Sequence, residues 1–169
     1  MIILVGESAG GKSTVERCLV DRGIKKIISY TTRPPRDGEI NGVDYYYITE
    51  GDFKQKLKEG FFAEHTIYRD WYYGTAKEDC TDDKVLVANP HGLRQLKKFE
   101  DITVNAFYIK TSGRVRLIRM LNRGDDIMEC FRRYFSDMGV FQNVEEEVDM
   151  ILDGEQPTKY LADKILVNI

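Results

Sequence analysis

Cysteine and histidine are too scarce here to build a metal centre or a bridged scaffold. The three cysteines, Cys18, Cys80 and Cys130, are odd in number and far apart, so they offer neither zinc spacing nor a disulfide framework. The two histidines, His65 and His91, have no partner at ligand spacing. Long apolar runs are also missing. None approaches the length of about 18 residues that a membrane helix needs. An excess of one charge is absent too: 25 basic residues face 28 acidic ones, for a formal net charge of -3. Bulk attraction to nucleic acid or to an anionic membrane is thereby excluded, and any anion chemistry must come from local clusters. There is no repeat and no low-complexity tract. The apolar run that follows Met1 leaves no room for a secretory leader, so a reducing cytoplasm is the expected setting. What is present, 169 residues with 42% hydrophobic and 31% charged side chains, suits one soluble domain with a real core.

The most informative stretch comes first. Ile2–Val5 is short and wholly apolar, as expected of a buried strand. Gly6 and then Gly11-Lys12-Ser13 follow at the spacing G-x-x-x-x-G-K-[ST], which marks a phosphate-binding loop. Its glycines, Gly6, Gly10 and Gly11, let successive backbone N–H groups turn inward around an anion. The helix opening at Ser13 and Thr14 adds its positive end. Lys12 can reach the β and γ phosphates of a nucleotide such as ATP, and the Ser13 hydroxyl can hold Mg²⁺. An ordinary glycine-rich turn would not need the amphipathic stretch that follows, with Val15, Cys18 and Leu19 on one face.

Apolar strands alternate with helical patterns, which predicts an α/β fold with a mostly parallel sheet. Expected strands are Ile2–Val5, Lys26–Ser29, Val85–Ala88, Val104–Ile109 and Ile165–Val167. Expected helices are Ser13–Arg22, Gly92–Phe99, Gly113–Asn122, Ile127–Met138 and Val144–Leu152. In the fourth helix, Ile127, Cys130, Phe131, Tyr134, Phe135 and Met138 form one apolar stripe. Residues 31–75 differ in texture. They are rich in tyrosine and carry a capping box at Thr49 and Asp52 before one small helix. They read as an insertion between two strands of the main sheet.

A second anion site is expected in that insertion. Arg33 and Arg36 flank two prolines in a stiff extended segment, and each guanidinium can grip a phosphate bidentately. Tyr45, Tyr72 and Tyr73 add hydroxyls that can donate to phosphate and rings that can carry a base. Arg119 and Arg123 lie four apart and so share a helix face. Arg132 and Arg133 follow on the next helical stretch.

The run Thr31-Thr-Arg33-Pro-Pro-Arg36-x-Gly38-Glu39-x-x-Gly42-x-Asp44-Tyr45, placed after this loop, resembles the guanylate kinase family. The likeness continues through Phe62-Ala-Glu64, Tyr73-Gly74-Thr75, Leu121-Asn-Arg123-Gly124 and Ile165-Leu-Val-Asn168, nearly the whole chain. It implies a P-loop NTPase core (residues 1–30 and 76–169), a small mixed β/α subdomain that binds the nucleoside monophosphate (31–75) and a helical lid (about 119–138). The implied reaction transfers phosphate from Mg-ATP to GMP or dGMP, with no nucleic-acid or membrane partner. By position, Ser29, Arg33, Arg36, Tyr45 and Tyr73 would surround the GMP phosphate. Glu64 and Thr75 would read guanine, whose N1–H and exocyclic amine suit one carboxylate. Lys12 and the lid residues Arg119, Arg123 and one of the Arg132–Arg133 pair, taken as Arg133, would be catalytic.

Four departures from the family pattern stand out. The usual Asp-x-Asp reads Val87-Ala-Asn89, which removes a carboxylate near Mg²⁺ and Lys12 and leaves a neutral amide to meet guanine. The stretch after Thr75 is short, with room for at most two helical turns. The lid spacing from Arg123 to Arg133 is one residue short. The chain is expected to stop just after its last strand, without a terminal helix, and the acidic helix Val144–Leu152 is expected to cover part of that face. Two competing readings keep the fold. One is a sugar-phosphate kinase acting on ribose 1,5-bisphosphate, which lacks most of the Thr31–Tyr45 motif. The other is an inactive phosphopeptide-binding module, which generally loses the loop lysine and lid arginines retained here as Lys12 and Arg123.

Overall fold

A computed structural model describes every residue of the chain except Asp101. The main sheet has five strands, β1 (Ile2–Val5), β2 (Lys25–Lys26), β7 (Lys84–Val87), β8 (Asn105–Lys110) and β9 (Met150–Asp153), in the spatial order β2-β7-β1-β8-β9. All four pairings are parallel. β1 is central, and its alternating side chains serve both faces, as the strand period of two requires. Ile3 and Val5 pack with Leu86, Leu93, Leu96 and Tyr108 on one face. Ile2 and Leu4 pack with Val15, Leu19, Phe107, Leu161 and Ile165 on the other. A strand buried on both faces has to read as an unbroken apolar run, which Ile2–Val5 does.

Helix α1 (Lys12–Val20) and helix α6 (Thr158–Val167) cover one face, and α3 (Pro90–Leu96) covers the other. The second sheet has the order β4-β3-β6-β5, built from β3 (Tyr30–Thr31), β4 (Tyr46–Tyr47), β5 (Phe62–Tyr68) and β6 (Trp71–Ala76). Helix α2 (Glu50–Lys58) packs on it through Phe53, which is fully buried and stacks on Phe62 at 4.4 Å. Thr49 caps α2 as expected, accepting from the Asp52 N–H at 3.1 Å. Helices α4 (Gly113–Asn122) and α5 (Ile127–Asp137) pack on each other and occupy the stretch expected as a lid or flap.

Two expectations at the end of the chain are overturned. Ile165–Val167 is not a strand; it is the last turn of α6. Leu161, Ala162 and Ile165 are buried at helical spacing against α1, while Val167 is left exposed. The residues 144–152 are not a helix: Val144–Glu146 is one 3₁₀ turn, and Met150–Asp153 is the edge strand β9. β9 buries only Leu152, so its sequence carries little alternation to recognise. α6, not an acidic helix, therefore closes that face, and a terminal helix is present after all. Two smaller differences follow. The strand expected at Lys26–Ser29 pairs only through Lys25–Lys26, although the Ile27 N–H still donates to Val85. The helix after Thr75 shrinks to a 3₁₀ turn at Lys77–Asp79.

Candidate active site

The phosphate loop occupies the carboxyl edge of β1, where the neighbours diverge to β7 on one side and β8 on the other. Such a switch point opens a crevice for ligands. Gly11 holds φ 101°, a left-handed value that a side chain would strain. Lys12 lies folded on its own loop. Its Nζ donates to the Gly6 carbonyl at 2.6 Å and the Glu7 carbonyl at 2.8 Å. Burial lowers the Lys12 ammonium to about 8, while Asp137 and Glu7 work in the opposite direction. Gly10, Gly11, Lys12, Ser13 and Thr14 line a cavity of about 400 Å³ together with Arg119, Arg123, Gly154, Gln156 and Thr158. Arg119 donates to the Ala9 carbonyl at 3.3 Å and the Gly154 carbonyl at 2.8 Å, which ties α4 to the loop. Arg123 pairs with Asp125 and is half exposed.

A second cavity, of about 350 Å³, touches the loop at Ser8. Its wall includes Ser8, Ser29, Arg33, Arg36, Tyr45, Glu64, Tyr73, Asn89 and Arg133. Residues expected from five separate stretches thus meet in one place. A neighbouring cleft joins Ser13 to Arg33, Arg36, Tyr45 and Tyr73, so the arginines of the insertion face the phosphate loop. Arg33 is buried and held by Glu39, which accepts both contacts from Nη2 at 2.9 and 2.8 Å. The same carboxylate accepts from the Arg36 backbone N–H and the Tyr47 hydroxyl. Glu39 therefore preorganises the cluster, while the Arg36 guanidinium stays available at the cavity.

Glu64 is 7% exposed. Thr75 donates to its Oε1 at 2.7 Å, and Ser29 lies 3.1 Å beyond Thr75. Burial pushes the Glu64 carboxyl up to about 7, with the Thr75 hydroxyl pulling it down. Gly92 leaves room for this carboxylate: a Cβ there would stand 2.9 Å from Glu64 Oε2. Asn89 caps α3, accepting from the Gly92 N–H at 2.8 Å, and its amide nitrogen lies 3.4 Å from Thr66. Val87 ends β7 in both clefts and brings no charge.

Helix α5 borders this second cavity through Arg133. Glu129 takes Arg69 from the β5–β6 hairpin and Arg132 and Arg133 from its own helix. Arg132 first, then Arg133 and Arg69, hold its carboxyl far below the usual range. Of the lid pair, Arg133 lines the cavity, whereas Arg132 turns to the Tyr68 hydroxyl at the hairpin. Arg69 and Asp70 make the hairpin turn with φ 54° and 63°.

Sequence reasoning missed several wall residues. Gly154, Gln156 and Thr158 follow β9 and would have been found had that strand been recognised, because ligands gather at carboxyl ends of strands. Glu39 stood inside the quoted motif without a role. Asp137 and Arg116, which line neither cavity but bond to Ser8 of the loop, left no local signal.

A parallel sheet with a phosphate loop after its central strand, and two arginine-bearing cavities at that loop, define a P-loop phosphotransferase. The comparisons narrow this further. The family model described as guanylate kinase matches residues 1–163, and the chain belongs to that family. It is 32% identical to the guanylate kinase of Helicobacter pylori strain 26695, over the whole chain and 85% of that protein. It is 31% identical to the guanylate kinase of Chromohalobacter salexigens, over 81% of this chain and 67% of that one. In fold it is similar to the crystal structure of guanylate kinase from Anaplasma phagocytophilum, with a TM-score of 0.76, 22% identity, and coverage of 99% of this chain and 82% of that one. No helix among the described residues is long and apolar enough to cross a membrane.

Proposed function

We propose that the protein transfers the terminal phosphoryl group of ATP to GMP or dGMP, giving ADP and GDP or dGDP. One observation carries the reading: a single cavity is bounded at once by the phosphate loop at Ser8, the Arg33–Arg36–Tyr45–Tyr73 cluster, the buried Glu64 and the lid residue Arg133. Family membership supports it.

In this reading the cavity at Gly10–Thr14 takes the ATP phosphates. Lys12 exchanges its two loop carbonyls for phosphate oxygens, and the negative ligand further favours its charged form. Arg33, Arg36, Tyr45 and Tyr73 hold the acceptor phosphate. Glu64, as carboxylate, accepts N1–H and the exocyclic amine of guanine, a donor pair that adenine lacks. Thr75 orients that carboxylate, and Ser29 orients Thr75. Phosphoryl transfer asks mainly for alignment and charge neutralisation. Arg119 and Arg123 supply charge from the donor side and Arg133 from the acceptor side, while the flap excludes water. Mg²⁺ fits as a companion of the nucleotide: Ser13, exposed at the start of α1, offers a hydroxyl oxygen, the kind of ligand magnesium takes beside phosphates and water. When bound, the ion would neutralise phosphate charge.

The test is ADP release from Mg-ATP with GMP, dGMP, AMP, CMP, UMP or ribose 1,5-bisphosphate as acceptor. Turnover confined to the guanine nucleotides is expected. Turnover with the sugar phosphate alone, or tight GMP binding with no ADP release, would overturn the assignment.

A further inference from the structure

The lid helix ends on the phosphate loop. Asp137, the last residue of α5, accepts from the Ser8 N–H at 2.8 Å and lies 3.3 Å from the Ser8 hydroxyl. Arg116 of α4 completes the joint: its Nη1 donates to Asp137 at 3.0 Å and reaches the Ser8 carbonyl at 3.5 Å. The Arg116 and Asp137 side chains are only 7% and 16% exposed. Arg116 also lies 5.1 Å over the ring of Tyr134, one turn back on α5. Its Nε has no hydrogen-bond partner among the described residues, and Asp137 is the carboxylate with which this buried guanidinium pairs.

α5 packs on α4 through the buried Cys130 and through Tyr134 against Gly113, but much of its apolar stripe is left outside that contact. Ile127, Phe131, Phe135 and Met138, most of its apolar stripe, are exposed by 58%, 46%, 62% and 64%. Of the stripe expected from sequence, only Cys130 is buried. Polar contacts toward its two ends add to this packing in fixing the rotation of the helix about its axis. Glu129 supplies one, toward the hairpin. Asp137 supplies the other, toward the phosphate loop. Glu129, Arg133 and Asp137 are spaced by four and share one face, and Arg133 and Ser8 border the same cavity.

We propose that Asp137 is a positioning residue for phosphoryl transfer: by joining Ser8 and Arg116 it fixes the trailing end of the lid to the phosphate loop and so aims Arg133 at the cavity. This rests on the phosphotransfer reading above. Its action is indirect, through Arg133 and the seal that the lid makes, beside the charge it presents to Lys12; D137N, which loses that charge but keeps the Ser8 contact, separates the two. A displacement of about 1 Å in a charge-stabilising group can lower a rate by about 100-fold.

The experiment compares the unaltered chain with D137A, D137N and the paired apolar variant R116M/D137L. It measures kcat, KM for ATP, KM for GMP, thermal midpoint, and the fraction of ATP hydrolysed to phosphate instead of transferred. D137A should lower kcat by roughly 10- to 100-fold, with both KM values changed less than about threefold and a larger share of ATP lost to water. D137N retains an oxygen for the Ser8 N–H and should recover part of the rate. R116M/D137L removes the unpaired buried charge, and with it the main threat to folding, yet it still lacks the joint. It should recover thermal stability and stay slow. Full activity in R116M/D137L, or a kcat in D137A within about twofold of the parent, would overturn the proposal. A higher kcat in D137A would overturn it too, by showing that the contact restrains the lid. No turnover by the parent on any monophosphate would sink the phosphotransfer reading and this inference with it. An active parent indifferent to D137A would sink this inference alone.

Discussion

Replacing Glu64 with Gln tests both the stability and the specificity written into one buried carboxyl. Burial raises its pKa from 4.5 to about 7 in the folded chain. Unfolded, the group releases its proton near the ordinary value; folded, it keeps the proton until about 7. The native state therefore binds more protons in between, and stability falls as pH rises from about 4.5 to about 7. A displacement of roughly 2.5 units is worth about 3 kcal/mol above that window. E64Q removes this dependence. Its new amide hydrogens need partners, which takes back about 1 kcal/mol. The net expectation is a variant more stable than the parent by about 1–3 kcal/mol at pH 8, and no more stable at pH 5. Urea unfolding at pH 5, 6, 7 and 8 measures it. GMP affinity should move in the opposite sense. The carboxylate is about one tenth formed at pH 6 and about nine tenths at pH 8, so the parent should bind GMP roughly ninefold more tightly at pH 8 from this group. The phosphate of GMP titrates too, but E64Q keeps that contribution and should lose only the Glu64 part. E64Q should also narrow the preference for GMP over AMP while leaving the KM for ATP unchanged. An E64Q stability profile parallel to that of the parent would refute the raised pKa. Unchanged GMP-to-AMP selectivity would refute the role in reading guanine.

Three further outcomes follow from particular contacts. G92A places a methyl group 2.9 Å from Glu64 Oε2. It should raise the KM for GMP about tenfold or more, corresponding to about 1.4 kcal/mol, and leave the KM for ATP unmoved. D70G relieves a left-handed residue at φ 63° and should stabilise the fold by up to about 1 kcal/mol, read as a shift in the urea midpoint. V87D returns a carboxylate to the end of β7 beside the phosphate loop. It should lower the magnesium concentration needed for half-maximal rate; an unchanged magnesium titration would show that the charge is not missed there.

Local chemistry made half of this site legible. Gly6 through Thr14 must curl around an anion whatever surrounds them, because the spacing of glycines, lysine and serine already specifies a backbone nest. The stiff Arg33–Pro–Pro–Arg36 segment likewise announced a second grip. The end of the chain misled for an equally physical reason. Ile165-Leu-Val has the composition of a strand, but Leu161 and Ile165 have the spacing of a helix and Val167 stays in water. β9, an edge strand with one buried side chain, had almost no pattern to show.

By itself, the order of residues determined that a nucleotide's phosphates could be cradled at the first turn and that arginines and tyrosines would gather in residues 31–75. Only the folded chain decided which of those groups share a cavity, and which lid arginine faces it. It also placed Asp137 on Ser8, 129 positions away in the chain. Hydrogen bonds across that separation depend on the angle at which two packed helices arrive. No short stretch of sequence encodes that angle; it is set when the sheet, the hairpin and the flap settle against one another.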